Sequence, residues 1–105
     1  MIATVKVDRF SIFPSEHTLG ISMRFVDNSD VVYYYDFLPD IKADTYALMG
    51  WLIHRIMKLV DASTSKDVEG KYVRVAYDEE HDKHVVNDIG HVMYEKWMIG
   101  SHDSV

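Results

Sequence analysis

Residues 21–40, ISMRFVDNSDVVYYYDFLPD, carry the pattern from which the fold is read. Ile21, Met23 and Phe25 alternate with Ser22 and Arg24, the period of two expected of a strand with one buried face. Asp27-Asn28-Ser29-Asp30 is a run of small polar residues suited to a hairpin connection. Val31 to Leu38 is dense in β-branched and aromatic side chains and reads as the returning strand. It stops at Pro39, which has no amide hydrogen to give a ladder. Tyr33, Tyr35 and Phe37 share one face of this strand, and Val32 and Tyr34 lie on the other, where only Asp36 is cleanly polar. A sheet face open to water should carry polar residues. Either this strand is covered on both sides, or Tyr34 belongs to a contact surface.

Working outward, residues 2–13 read as a preceding strand whose parity slips from Val5 and Val7 to Phe10 and Ile12. Such a slip predicts a bulge or bend near Asp8-Arg9. Pro14-Ser15-Glu16-His17 supplies turn chemistry, so the first three strands form a meander. A helix follows from about residue 40–44 to about residue 61, with Asp40 and Asp44 as candidate N-caps. At ~100° per residue, Leu48, Met49, Leu52, Ile56, Leu59 and Val60 fall on one side of it. Tyr46, Ile53 and Met57 widen that side to roughly half the circumference, more than the ~100° stripe one sheet requires. Gly50, His54, Lys58 and Asp61 form the wet face, and Trp51 and Arg55 sit at the border one turn apart.

Beyond the helix, residues 62–67 read as a polar linker, Tyr72 to Tyr77 as a fourth strand and Asp78 to His84 as a hairpin tip. Residues 85–99 then give a fifth strand broken near Gly90, with a polar, frayed tail over 100–105. The expected fold is a single α+β domain over residues 1–105, one helix packed on an antiparallel five-stranded sheet in the order β-β-β-α-β-β.

Composition narrows the function classes. A chain of 105 residues that is 48% hydrophobic and 27% charged can build a core without staples, which argues against disorder. A net charge of −6 lacks the basic footprint for phosphate contacts and repels anionic membranes, so neither nucleic acid nor membrane is an expected partner. The same charge favours a partner with a basic or mixed surface. The absence of cysteine excludes disulfides and thiolate chemistry. With no basic, apolar leader pattern at residues 1–8, the expected location is the cytoplasm.

Six histidines invite a metal hypothesis, with His81 and His84 beside Glu79, Glu80 and Asp82, and His91 further on. The spacing is not that of a helical HExxH pair, and the stretch reads as a solvated, charge-rich turn. GxSxG, GxGxxG and GxxxxGK are all missing. The expectation is therefore a chain that is not an enzyme and takes no cofactor or metal. The acidic tip, with Asp67 and Glu69, could imitate a run of phosphates before an arginine-rich surface.

Gly70-Lys71-Tyr72-Val73-Arg74-Val75, with Ile89-Gly90-His91 and Trp97, resembles the C-terminal part of small accessory proteins of bacteriophages and prophages. That resemblance implies host takeover or evasion of host defence, anti-CRISPR inhibitors being one instance, by occupation of a partner's surface. It carries no functional residue onto this chain. From the residues themselves, the over-wide apolar arc and the tyrosine-rich strand point to a protein-binding module. Tyr34, Trp51 and Arg55 are the expected anchors, Asp78, Glu79, Glu80 and Asp82 the contacts for a basic partner, and homodimerisation is one expected assembly. The competing readings are a histidine–carboxylate metal enzyme or metal-binding module, and a structural subunit of a larger assembly.

Overall fold

The computed structural model describes residues 1–15, 19–39 and 45–98. Its longest strand, β1 (Ile2–Pro14), holds the irregularity that shapes everything else. Opposite β2 (Leu19–Val26), Val7 faces Phe25, the register slips between Val7 and Arg9, and Phe10 then faces Met23. The expected bulge is present. A bulge bends a strand and increases its twist, and here it lets one strand serve two neighbours. Ile2 to Lys6 pair antiparallel with β4 (Tyr72–Glu80), and Lys6 to Pro14 pair antiparallel with β2.

On the far side of β2, β3 (Val32–Phe37) pairs antiparallel with it and parallel with β5 (Lys83–Gly90), through Tyr33 opposite His84 and Tyr34 opposite Val85. β4 and β5 form a hairpin that turns at His81-Asp82, both at positive φ. The order β1-β2-β3-β5-β4 therefore closes on itself. The expected open antiparallel sheet with a helix laid across it is incorrect. The element order β-β-β-α-β-β holds, but the strands form a closed barrel with one parallel seam. A bent first strand brings β4 to one side of the meander, and the parallel seam joins β5 to the other. This is the Greek-key connectivity of five-stranded OB-type barrels, and connectivity of itself dictates no ligand.

Helix α1 (Thr45–Leu59) leaves the end of β3 and leads to the start of β4, and it packs on that end of the barrel. Met49, Leu52, Ile56 and Val60 are buried in one core with Val5, Val7, Ile21, Met23, Phe25, Val73, Val75 and Ile89. The buried stripe is narrower than the wheel implies. Leu48, Tyr46 and Trp51 are exposed, so the outer part of the apolar arc has no cover among the described residues. The candidate caps Asp40 and Asp44, and the tail from 100 to 105, lie outside those residues. The linker contains a 3₁₀ turn, Ser65–Val68, whose Val68 is buried. The fifth strand ends at Gly90, and residues 92–95 are irregular. Among the described residues no helix is long and apolar enough to cross a membrane.

Candidate functional site

The chain doubles back after β5, and Trp97 pairs with Gly90 in an isolated bridge. The pairing requires glycine for a steric reason: a Cβ at Gly90 would stand 2.6 Å from the Trp97 ring. Trp97 is 2% exposed, and the amide of Met98 donates to the carbonyl of Ile89 at 2.8 Å. Arg74 lies opposite Gly90 on β4 and gathers the loop. Its Nε donates to the carbonyl of His91 at 2.8 Å, its Nη2 to that of Tyr94 at 2.8 Å, and its Nη1 to Glu95 Oε1 at 3.0 Å. The guanidinium also sits 5.1 Å from the centre of the Trp97 ring. Inside the loop, His91 Nδ1 accepts the amides of Met93 and Tyr94, each at 3.0 Å. A planar fork with several donors suits such a task, because one side chain can satisfy several loop acceptors at once.

This anchored loop faces the uncovered flank of α1 across a cleft of about 670 Å³. Trp51, 52% exposed, and Arg55 stand on the helix side, with His54 and Lys58 beside them. Lys96 and Glu95 stand on the loop side, and Leu59, Trp97 and Met98 complete the lining. Arg55 ties the two walls together. Its Nη2 donates to the carbonyl of Trp97 at 3.0 Å while its guanidinium lies 5.0 Å from the centre of the Trp51 ring. Both contacts restrict a side chain that would otherwise be mobile.

The cleft is cationic within a chain of net charge −6. Among the described residues Arg55, Lys58 and Lys96 line it, against the single carboxylate of Glu95. The hydrogen bond from Arg74, followed by that from the Trp97 indole, holds the Glu95 carboxyl below the usual carboxylate range. Its charge is spent on Arg74. Among the described residues neither Lys58 nor Lys96 has an ion-pair partner.

Of the residues singled out from sequence, the structure brings only Trp51 and Arg55 together in this cleft. Tyr34, 39% exposed, lies on the outer face of β3, where Lys83 Nζ stands 5.7 Å above its ring. Asp78, Glu79, Glu80 and Asp82 are exposed at the β4–β5 hairpin, at the start of β5, whereas the cleft wall begins where β5 ends. At the rise of a strand, the stretch from Val85, opposite Asp78, to Gly90 spans roughly 17 Å, and that from the hairpin turn to Gly90 roughly 25 Å. The acidic hairpin and the cleft are distinct surfaces. Lys58, Lys96 and the Arg74 hub were missed as site residues, because their convergence depends on the chain doubling back at Gly90.

The histidine–carboxylate stretch does not converge. His81 occupies the exposed turn, while the His84 ring stacks on Tyr33 at 4.9 Å and meets Tyr77 edge-on at 5.2 Å. His84 Nδ1 lies 3.7 Å from Glu79 Oε1, within ion-pair range and too far for a hydrogen bond. Among the described residues no group of three His, Asp or Glu side chains is placed to hold a metal. The same end of the barrel holds Asp27, which accepts the amides of Ser29 at 2.8 Å and Val31 at 3.0 Å and the Tyr33 hydroxyl at 3.0 Å. Desolvation is the largest influence on Asp27 and opposes its charge. The two amides, the Tyr33 hydroxyl and the field of His84 together outweigh it and hold the carboxyl below its ordinary range. Burial, then the bond to Asp27, pushes the Tyr33 phenol far up, and burial, then the charge of Asp88, pushes Tyr35 up to about 12. Both phenols stay protonated near neutrality.

Compared with known proteins, the chain matches no family model, no curated protein sequence and no solved structure.

Proposed function

We propose that this chain is a non-enzymatic module that binds another protein through the cleft between α1 and residues 91–98. The observation that carries the reading is the state of Trp51: a large aromatic side chain, half exposed, held against Arg55 at the lip of a cleft. Tryptophan and arginine are the types that most often dominate binding energy when a partner seals them from water. The groups around them suit holding rather than transforming a ligand. Among the described residues they are mostly cations, aromatic faces and apolar side chains, with the His54 imidazole beside them, and the one carboxylate is already engaged by Arg74. A partner seated there would have its own surface covered, which is the mode of action implied by the resemblance to phage accessory proteins. The inhibitor role belongs to this proposal.

The test is affinity purification of the tagged chain from its host, with Trp51→Ala and Arg55→Ala compared with the unaltered protein and thermal melts confirming that each variant folds. Loss of the same protein from both folded variants supports the reading. Undiminished recovery from both removes the cleft from consideration.

A further inference from the structure

We infer that the cleft takes an acidic segment of a partner protein, its carboxylates meeting Arg55, Lys58 and Lys96 while an apolar or aromatic side chain rests on Trp51. This inference rests on the docking reading above and supplies the chemistry of the partner, which that reading leaves open. It differs from the sequence-based expectation of a partner with a basic or mixed surface, since the net charge is negative but the described residues of the cleft carry more cations than acids.

Charge complementarity at a preformed site selects this occupant. Among the described residues Glu95 is the one acid of the lining and is bonded to Arg74, so the field those residues leave at the cleft comes from Arg55, Lys58 and Lys96. Lys58 and Lys96, without ion-pair partners among the described residues, stand on opposite walls. Arg55 is already oriented by the Trp97 carbonyl and the Trp51 ring, and it retains donors beyond the one given to Trp97. An oriented guanidinium loses less freedom when it meets a carboxylate than a free one does. A cleft of about 670 Å³ accommodates a few side chains, so the ligand is a short segment. A nucleic-acid strand is the less fitting polyanion. It presents a phosphate at every step and needs a cationic track longer than one cleft on a chain with seventeen acids and eleven Lys and Arg.

The experiment is a fluorescence-anisotropy titration of the full chain with three labelled probes: a ten-residue peptide of Asp and Glu with one central Phe, its Lys/Arg counterpart, and a ten-nucleotide single-stranded DNA. The acidic peptide is expected to bind saturably and more weakly as salt rises. Lys58→Glu with Lys96→Glu should reduce its affinity at least tenfold, and Trp51→Ala severalfold. Lys58→Gln with Lys96→Gln gives an intermediate loss and serves if the reversed variant fails to fold. Three outcomes overturn the inference: no preference for the acidic over the basic peptide, acidic-peptide binding indifferent to the lysine changes, or tighter binding of the DNA through the same lysines. A dimer in solution that dissolves on lysine reversal would assign the site to the acidic hairpin of a second copy, which also overturns it. If the host partner is lost with Trp51→Ala but the acidic peptide does not bind, docking stands and acidity fails. If neither depends on Trp51, both fail.

Discussion

Replacing Gly90 with alanine puts the construction of the cleft wall to a direct test. The added Cβ would lie 2.6 Å from Trp97 Cε3 and 2.8 Å from Cδ2 and Cζ3, inside contact distance of three atoms of one rigid ring. The indole has little room to yield, being 2% exposed and packed beneath the Arg74 guanidinium. Forced overpacking of this kind costs about 1–3 kcal/mol. In a domain of this length that corresponds to a melting temperature lower by roughly 5–15 °C. Gly50 provides the opposite sign. It is exposed within α1, and a Cβ added there would meet nothing within 4 Å, so Gly50→Ala removes only the entropic penalty of a helical glycine. A gain of about 0.5–1 kcal/mol is expected. Urea denaturation followed by far-UV circular dichroism measures both, and near-UV dichroism reports the Trp97 environment. A Gly90→Ala variant within about 0.5 kcal/mol of the parent, the spread of ordinary surface changes, with an unaltered near-UV spectrum, would refute the packing of Trp97 on Gly90.

Arg74→Met keeps much of the aliphatic bulk but releases the carbonyls of His91 and Tyr94 and the Glu95 carboxylate; a loss of about 2 kcal/mol in urea melts is expected, with new protease cleavage between residues 91 and 96. Asp27→Asn should be most destabilising near neutral pH. A carboxyl held below its ordinary value of 3.8 contributes stability above that value and loses it as pH falls through the lowered folded value, so the gap between variant and parent should close in acid melts. An ultraviolet titration should show two tyrosines, Tyr33 and Tyr35, ionising only near or above pH about 12. Tyr33→Phe and Tyr35→Phe should each remove one late-ionising phenol, and a titration in which they remove early ones would contradict the burial of these rings.

The acidic hairpin and the cleft show that overall charge does not describe each surface of this chain. A net charge of −6 is a sum over the surface, while recognition depends on the few groups that meet a ligand within a screening length of about 10 Å. Trp51 and Arg55 could be picked out from the helix because both stand one turn apart on a single element. Lys96 could not, since it reaches the same cleft only through the turn back at Gly90 and the Arg74 hub.

The features legible in the residue order are local ones. Alternation placed Ile21, Met23 and Phe25 inward, parity marked the bulge beside Asp8, the small polar run at 27–30 made the hairpin, and the periodic stretch before Asp61 made the helix. Each is a property of neighbours along one element, where period and turn chemistry act directly. Closure of the sheet belongs to the assembled chain, because the parallel seam of Tyr33 with His84 joins strands some fifty residues apart and leaves no periodic trace in either. So does the direction taken by His84, which follows an exposed turn yet stacks on Tyr33. Pairing partners are chosen by bend, twist and loop closure across the whole chain, and it is those choices that set Trp51, Arg55, Lys58 and Lys96 around one opening.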